Sequence, residues 1–171
     1  MYSGHKRAHR IKFQIVVTPD GFIACLDGPE AGHCHDAHML AESELVDKLK
    51  AFMPVEDGNV YSLYGDAAYP QSQYVFGGFR GANPNSPEAA WNATMSKSRV
   101  VVEWSFAKIL SLWPFLDSKR DMKVFKIPCG KYYIFGAFLT NIHNCFRGCS
   151  TSKYFDCPPL SIEQYLALTN N

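Results

Sequence analysis

The 171-residue sequence has no apolar run approaching the roughly 18 residues that a membrane-spanning helix needs, so neither a span nor a membrane partner is expected. It also has no excess of either charge. With 17 Lys and Arg against 16 Asp and Glu the formal net charge is +1, and any contact with nucleic acid must come from a local patch, not from a basic domain as a whole. The six cysteines, Cys25, Cys34, Cys129, Cys145, Cys149 and Cys157, lack the dense spacing of a disulfide framework and read as reduced, small apolar side chains. His33, Cys34, His35 and His38, or His143, Cys145 and Cys149, could be drawn as zinc ligands, but neither set has the paired spacing of a finger. A nucleophile elbow, a Walker phosphate loop and a GxGxxG fingerprint are all missing, which excludes the enzyme classes that depend on them. Internal repeats and low-complexity segments are absent too.

What remains is an ordinary globular composition, 47% apolar and 19% charged, in a chain long enough for about one domain with its own core. A basic segment containing His5, Lys6, Arg7, His9 and Arg10 opens it and runs into alternating Ile11, Phe13 and Ile15. That alternation predicts a strand. Thr18-Pro19-Asp20-Gly21 is a turn signal, and Phe22-Ile23-Ala24-Cys25-Leu26 returns as a second strand, so residues 11–26 are expected to form a hairpin and the sheet to be mixed.

Met39, Leu40, Leu45, Val46, Leu49 and Phe52 recur at helical spacing and predict one helix over residues 37–52, with Asp36 as its N-cap. The aromatic run Tyr61-Ser62-Leu63-Tyr64-Gly65-Asp66 alternates like a strand and stops at Tyr69-Pro70, which leaves the Asp66 carboxylate at a strand end. Residues 71–85, rich in Gly, Pro, Asn and Arg, predict a flexible functional loop. Ser86-Pro87-Glu88 is a helix start, and the helix is expected to reach Leu112 before Pro114 stops it. Trp91, Met95, Val102, Phe106, Ile109 and Trp113 form its expected apolar stripe. Glu103 projects from the middle of that helix four residues after Arg99, a spacing that by itself suggests only a solvated pair. A second buried helix is expected over residues 132–146, then a loose tail with a short amphipathic end around Ile162 to Leu168.

Taken together, Tyr2-Ser3-Gly4-His5-Lys6-Arg7, the His35-Asp36 pair before a helix, Gly65-Asp66-Ala67-Ala68-Tyr69-Pro70, Arg99-Val100-Val101-Val102-Glu103 and Asn141-Ile142-His143-Asn144-Cys145 resemble the DDE superfamily endonuclease domain of Harbinger-like transposases. The resemblance covers most of the chain, as a partial domain over residues 1–146 followed by a C-terminal tail over 147–171. It implies an α/β, RNase H-like fold, a mixed sheet flanked by helices, and two-metal cleavage and rejoining of DNA with Mg2+ or Mn2+. Hard cations of this kind take carboxylate oxygens from several elements converging on one crevice. On this resemblance Asp66 and Glu103 are the catalytic acids, and Asp36, Asp66 and Glu103 the metal ligands. Lys6, Arg7, Arg10 and Arg99 are the expected DNA contacts. The resemblance also implies nuclear localisation and leaves room for a separate DNA-binding partner protein and for a homo-oligomer.

One departure stands against this. The family's first strand, with its own Asp in an Asp-Gly-Thr motif, would precede Tyr2-Ser3-Gly4, so the first strand is expected to be missing and the metal site incomplete. Asp20 and Asp27 sit at turn positions of the hairpin and are poor substitutes. Trp104 also stands where the family more often has Arg. The expectation is therefore of a metal-dependent nuclease or transposase domain that this stretch does not complete. The alternative is a non-catalytic, transposon-derived DNA-binding or protein-interaction module.

Overall fold

A computed structural model describes residues 2–3, 8–9, 11–52, 61–117 and 128–168. It is a mixed α/β structure with six helices and three small two-stranded sheets among those residues, and none of the sheets closes into a barrel. The expected single mixed sheet is thus not assembled among the described strands. Two compact units divide the chain: residues 1–14 with 30–100, and residues 15–29 with 101–171.

In the first unit, β1 (Tyr2–Ser3) pairs antiparallel with β2 (Ala8–His9). Lys6, Arg7 and Arg10 lie outside the described residues. The hairpin is present: β3 (Ile11–Val17) and β4 (Ile23–Ala31) are neighbours in one sheet, and its outer end belongs to this unit. The helix expected over residues 37–52 is two helices, α1 (Asp36–Glu42) and α2 (Leu45–Phe52). Ser43, buried, is the cause of the break. Its hydroxyl donates to Leu40 O at 3.0 Å and accepts from Gln14 Nε2 at 3.2 Å and from the Leu45 N–H at 3.4 Å. A serine bonded in this way competes with the helical ladder, and Glu44 beside it takes a left-handed φ of 53°. Met39, Leu40 and Leu45 are buried from these helices, together with Val75.

The strand expected before Asp66 is short. It is β5 (Leu63–Tyr64), which pairs in parallel with β6 (Val75–Phe76), so residues 71–85 are not a free loop. Tyr64 and Phe76 stand opposite each other in that register, and both pack edge-on against Trp91, at 5.5 and 4.9 Å between ring centres. Phe79 joins them at 5.6 Å from Trp91. Trp91 therefore anchors a strand pair and does not begin a long buried stripe. Asn92 then holds the loop with two 2.9 Å bonds, accepting from the Phe79 N–H and donating to Phe79 O.

Helix α3 (Pro87–Leu112) starts and stops where its Ser-Pro-Glu signal and Pro114 predict. Its first half belongs to the first unit and its second half, from Val101, to the second. The residues buried along it are Val101, Ser105 and Ile109, one position away from the expected stripe at Val102 and Phe106, which are only half-buried. In the second unit a single 3-10 turn, Pro114–Leu116, follows, and α4 (Cys129–Arg147) is the expected second helix, a little longer at both ends. Ile109, Leu116, Tyr133 and Ala137 are buried there. The stretch after Arg147 is tied down, not loose. It forms α5 (Ser150–Tyr154), whose N-cap Cys149 is buried, and α6 (Ile162–Leu168), whose Tyr165 stacks on Phe22 at 5.0 Å. None of the six cysteines, all among the described residues, forms a disulfide.

Candidate acidic site in the first unit

Asp66 leaves β5 and enters a turn closed by Tyr69 N–H donating to Asp66 O at 3.0 Å. The turn cannot drift from the strand pair. Gly65 N–H donates to Phe76 O at 3.0 Å, and Gly77 runs so close that a Cβ there would stand 2.7 Å from Asp66 O. The carboxylate is therefore exposed at the end of a small but fixed scaffold. Arg99, on the first half of α3, forms an ion pair with it. That hydrogen bond, with the guanidinium charge behind it, holds the Asp66 carboxyl below its ordinary range.

Asp36 is the first residue of α1, and His35 is its N-cap without any side-chain bond, so the capping role expected of Asp36 is not the one it has. Its carboxylate is ion-paired with Lys12 of β3 instead. Lys12 also donates to Cys34 O at 3.1 Å, and that bond ties the strand to the entrance of the helix.

Tyr69 relates these two acids. It is half-buried, and its hydroxyl donates to Gln14 Oε1 at 3.2 Å. Burial, then the negative fields of Asp36 and Asp66, push its pKa up to about 12. Asp36 and Asp66, 30 residues apart in sequence, thus act on one phenol. Sequence reasoning read Tyr69 only as part of a corner. The signal that it was more, a buried glutamine on β3 within reach, exists only in the fold. Arg80 was missed in the same way: it donates to Ala67 O at 2.6 Å and braces the Asp66 turn beside an open groove of about 300 Å³ lined by Pro70, Gln71, Phe76 and Phe79.

Glu103 is exposed on the half of α3 that belongs to the second unit. The pair expected between it and Arg99 is not formed, because Arg99 is committed to Asp66. Among the described residues no three His, Cys, Asp or Glu side chains are grouped so that they could hold a metal ion. This covers the three acids and both zinc sets alike. The site as it stands is two carboxylates, each neutralised by a cation, flanking a hydrogen-bonded phenol. Carboxylate oxygens, one exposed at Asp66 and one half-buried at Asp36, suit a hard divalent cation, whose entry would have to displace the ammonium and the guanidinium.

The family model described as DDE superfamily endonuclease matches residues 1–141. No curated protein and no solved structure matches the chain. No helix among the described residues is long and apolar enough to cross a membrane.

Proposed function

The chain belongs to the DDE superfamily endonucleases, and from that premise we propose that it is the nuclease part of a Harbinger-like, transposase-derived protein with an RNase H-like fold, working on DNA in the nucleus. Residues 1–146 are its nuclease domain and residues 147–171 a C-terminal extension. The observation that supports the reading is that Asp36 and Asp66, two of the expected metal-holding acids, both act on the Tyr69 phenol.

The donor chemistry fits. Asp36 and Asp66 would hold a Mg2+ or Mn2+ ion through carboxylate oxygens, with Glu103 as the further acid. The bound ion would supply an activated hydroxyl and charge stabilisation for phosphodiester cleavage. The chain's own residues do the rest. Lys12 and Arg99 orient the two carboxylates through their ion pairs. Once released, the same two cations are placed to bind phosphate, Arg99 through two parallel N–H donors. By sequence alone, Lys6, Arg7 and Arg10 would add basic charge for DNA, whose binding would weaken as salt rises. The Tyr69 phenol, neutral at any physiological pH, gives a fixed donor between strand and turn.

A second reading is favoured by the ion pairs themselves. If Lys12 and Arg99 neutralise the acids permanently, the chain is a non-catalytic, transposon-derived DNA-binding or interaction module. Mn2+-dependent nicking of supercoiled DNA, lost in Asp66→Ala, is the outcome expected of the nuclease. Nicking that survives Asp66→Ala would sink it, and salt-sensitive DNA binding without any calorimetric signal for Mn2+ would establish the module.

A further inference from the structure

The second unit contains a cleft of about 460 Å³ between the second half of α3, the C-terminal turn of α4, the Gly21 turn and α5. Three cations line it, Lys108, Arg147 and Lys153, and its described lining residues include no carboxylate. Lys108 is half-buried and donates one bond to Gly148 O at 2.9 Å, which fixes its ammonium at the wall. An ammonium has three donors, and two remain to be used.

Asn144 lines the same cleft and is 2% exposed. Its Nδ2 donates to Gly21 O at 2.8 Å, so the amide cannot be turned round without setting two oxygens against each other. The Oδ1 that this orientation leaves over is buried and has no hydrogen-bond partner among the described residues. A buried acceptor without a donor is costly, and such an atom is an invitation to a ligand N–H or O–H. At another part of the wall Trp104 is half-exposed, its ring set edge-on to Tyr154 at 5.6 Å between centres.

We infer that this cleft binds a nucleoside phosphate. Three cations with no opposing acid call for a multiply charged anion. An inorganic anion would leave most of the volume empty, since clefts for small organic ligands begin near about 300 Å³. It would also offer no donor to the Asn144 Oδ1. A nucleoside phosphate has the charge, the N–H groups on a base edge, and a flat face that Trp104 can cover. The moiety could come as a free nucleotide or as the terminal nucleotide of a strand. The residues that line the cleft belong to the second unit, and the acids Asp36 and Asp66 to the first.

The test is calorimetric titration of the full chain in EDTA, which removes any part played by divalent metal at the acids. The probes are dAMP, adenosine, inorganic phosphate, and a short single strand with either a 5′-phosphate or a 5′-hydroxyl. Expected is binding of dAMP at least about tenfold tighter than of adenosine or phosphate. Arg147→Ala and Lys153→Ala, both exposed positions that leave the Tm in place, should each weaken it about tenfold, as loss of one charge-assisted bond does. Equal binding of dAMP and the 5′-phosphorylated strand, lost with the 5′-hydroxyl, identifies a strand terminus; binding of dAMP alone identifies a free nucleotide. Phosphate binding as tightly as dAMP, no loss in either variant, no dAMP binding at millimolar concentration, or equal binding of both strands without dAMP would each overturn the inference.

Discussion

Arg99 on α3 is ion-paired with Asp66, the residue that leaves the end of β5. Both side chains are more than a third exposed, so solvent screening limits the pair to below about 1 kcal/mol of stability, and salt reduces it further. Its clearest signature is on titration. With its folded pKa depressed, Asp66 contributes stability above the ordinary value of 3.8, and the contribution is lost as pH falls through the lower folded value. NMR titration of the Asp66 carboxyl should give a midpoint below 3.8, returning toward it in Arg99→Ala. An unchanged midpoint would mean that the guanidinium does not hold the carboxylate in solution.

Tyr69 should ionise well above the ordinary phenol value of 10.0. Its raised pKa stabilises the fold fully below the unfolded value of 10.0, and that contribution disappears as pH climbs through about 12. Ultraviolet difference titration of the wild type against Tyr69→Phe isolates this one phenol. Asp36→Asn and Asp66→Asn should each bring its midpoint down, which would place both carboxylates near it by measurement. Tyr69→Phe also loses the bond to Gln14, a cost of about 1 kcal/mol in urea unfolding.

How much of this could be read from residues alone depends on how local the cause is. Ser86, Pro87 and Pro114 punctuate α3 by their own backbone chemistry, and the helix has the expected ends. Asp66 at a strand end follows from alternation and a proline. The break at Ser43 does not, since no Gly or Pro marks it and its cause includes Gln14, 29 residues away. Nor could sequence tell that Arg99 would choose Asp66, 33 residues off, over Glu103 one turn along. Of the buried line on α3, Ile109 was in the expected stripe but Val101 and Ser105 were not, because large apolar residues surround much of the helix and periodicity cannot choose a face when several qualify. Of the site, the identities of the acids were legible and their partners were not.

Asn92→Ala should release the segment that follows β6. Both polar atoms of Asn92 bond the Phe79 backbone at 2.9 Å, and Gly78 beside it has a left-handed φ of 82° with a missing Cβ that would stand 2.8 Å from Asn92 Oδ1. No larger residue can substitute for either partner. Loss of two exposed bonds should cost about 1–2 kcal/mol. Hydrogen exchange should accelerate at Phe79 and leave Ile109 unaffected, whereas a uniform loss of protection would point to global destabilisation.

Asn141 should be the most demanding polar side chain of the second unit. It is buried, and it treats β4 as a neighbouring strand would: Oδ1 accepts from the Ile23 N–H at 2.9 Å and Nδ2 donates to Ile23 O at 3.0 Å, with a further bond to Tyr165 Oη at 3.0 Å. One amide thus satisfies both backbone groups of a strand residue and joins helix α4 to α6. Asn141→Ala leaves a buried N–H and C=O without partners, for a loss of about 2–4 kcal/mol. Asn141→Asp keeps the acceptor, but it cannot donate to Ile23 O and buries a charge, so it should be no milder. Asn141→Gln keeps both groups at the wrong reach. Chemical denaturation of the three variants checks the ordering; an Asp variant as stable as wild type would show that the pairing with Ile23 is not what joins α4 to β4.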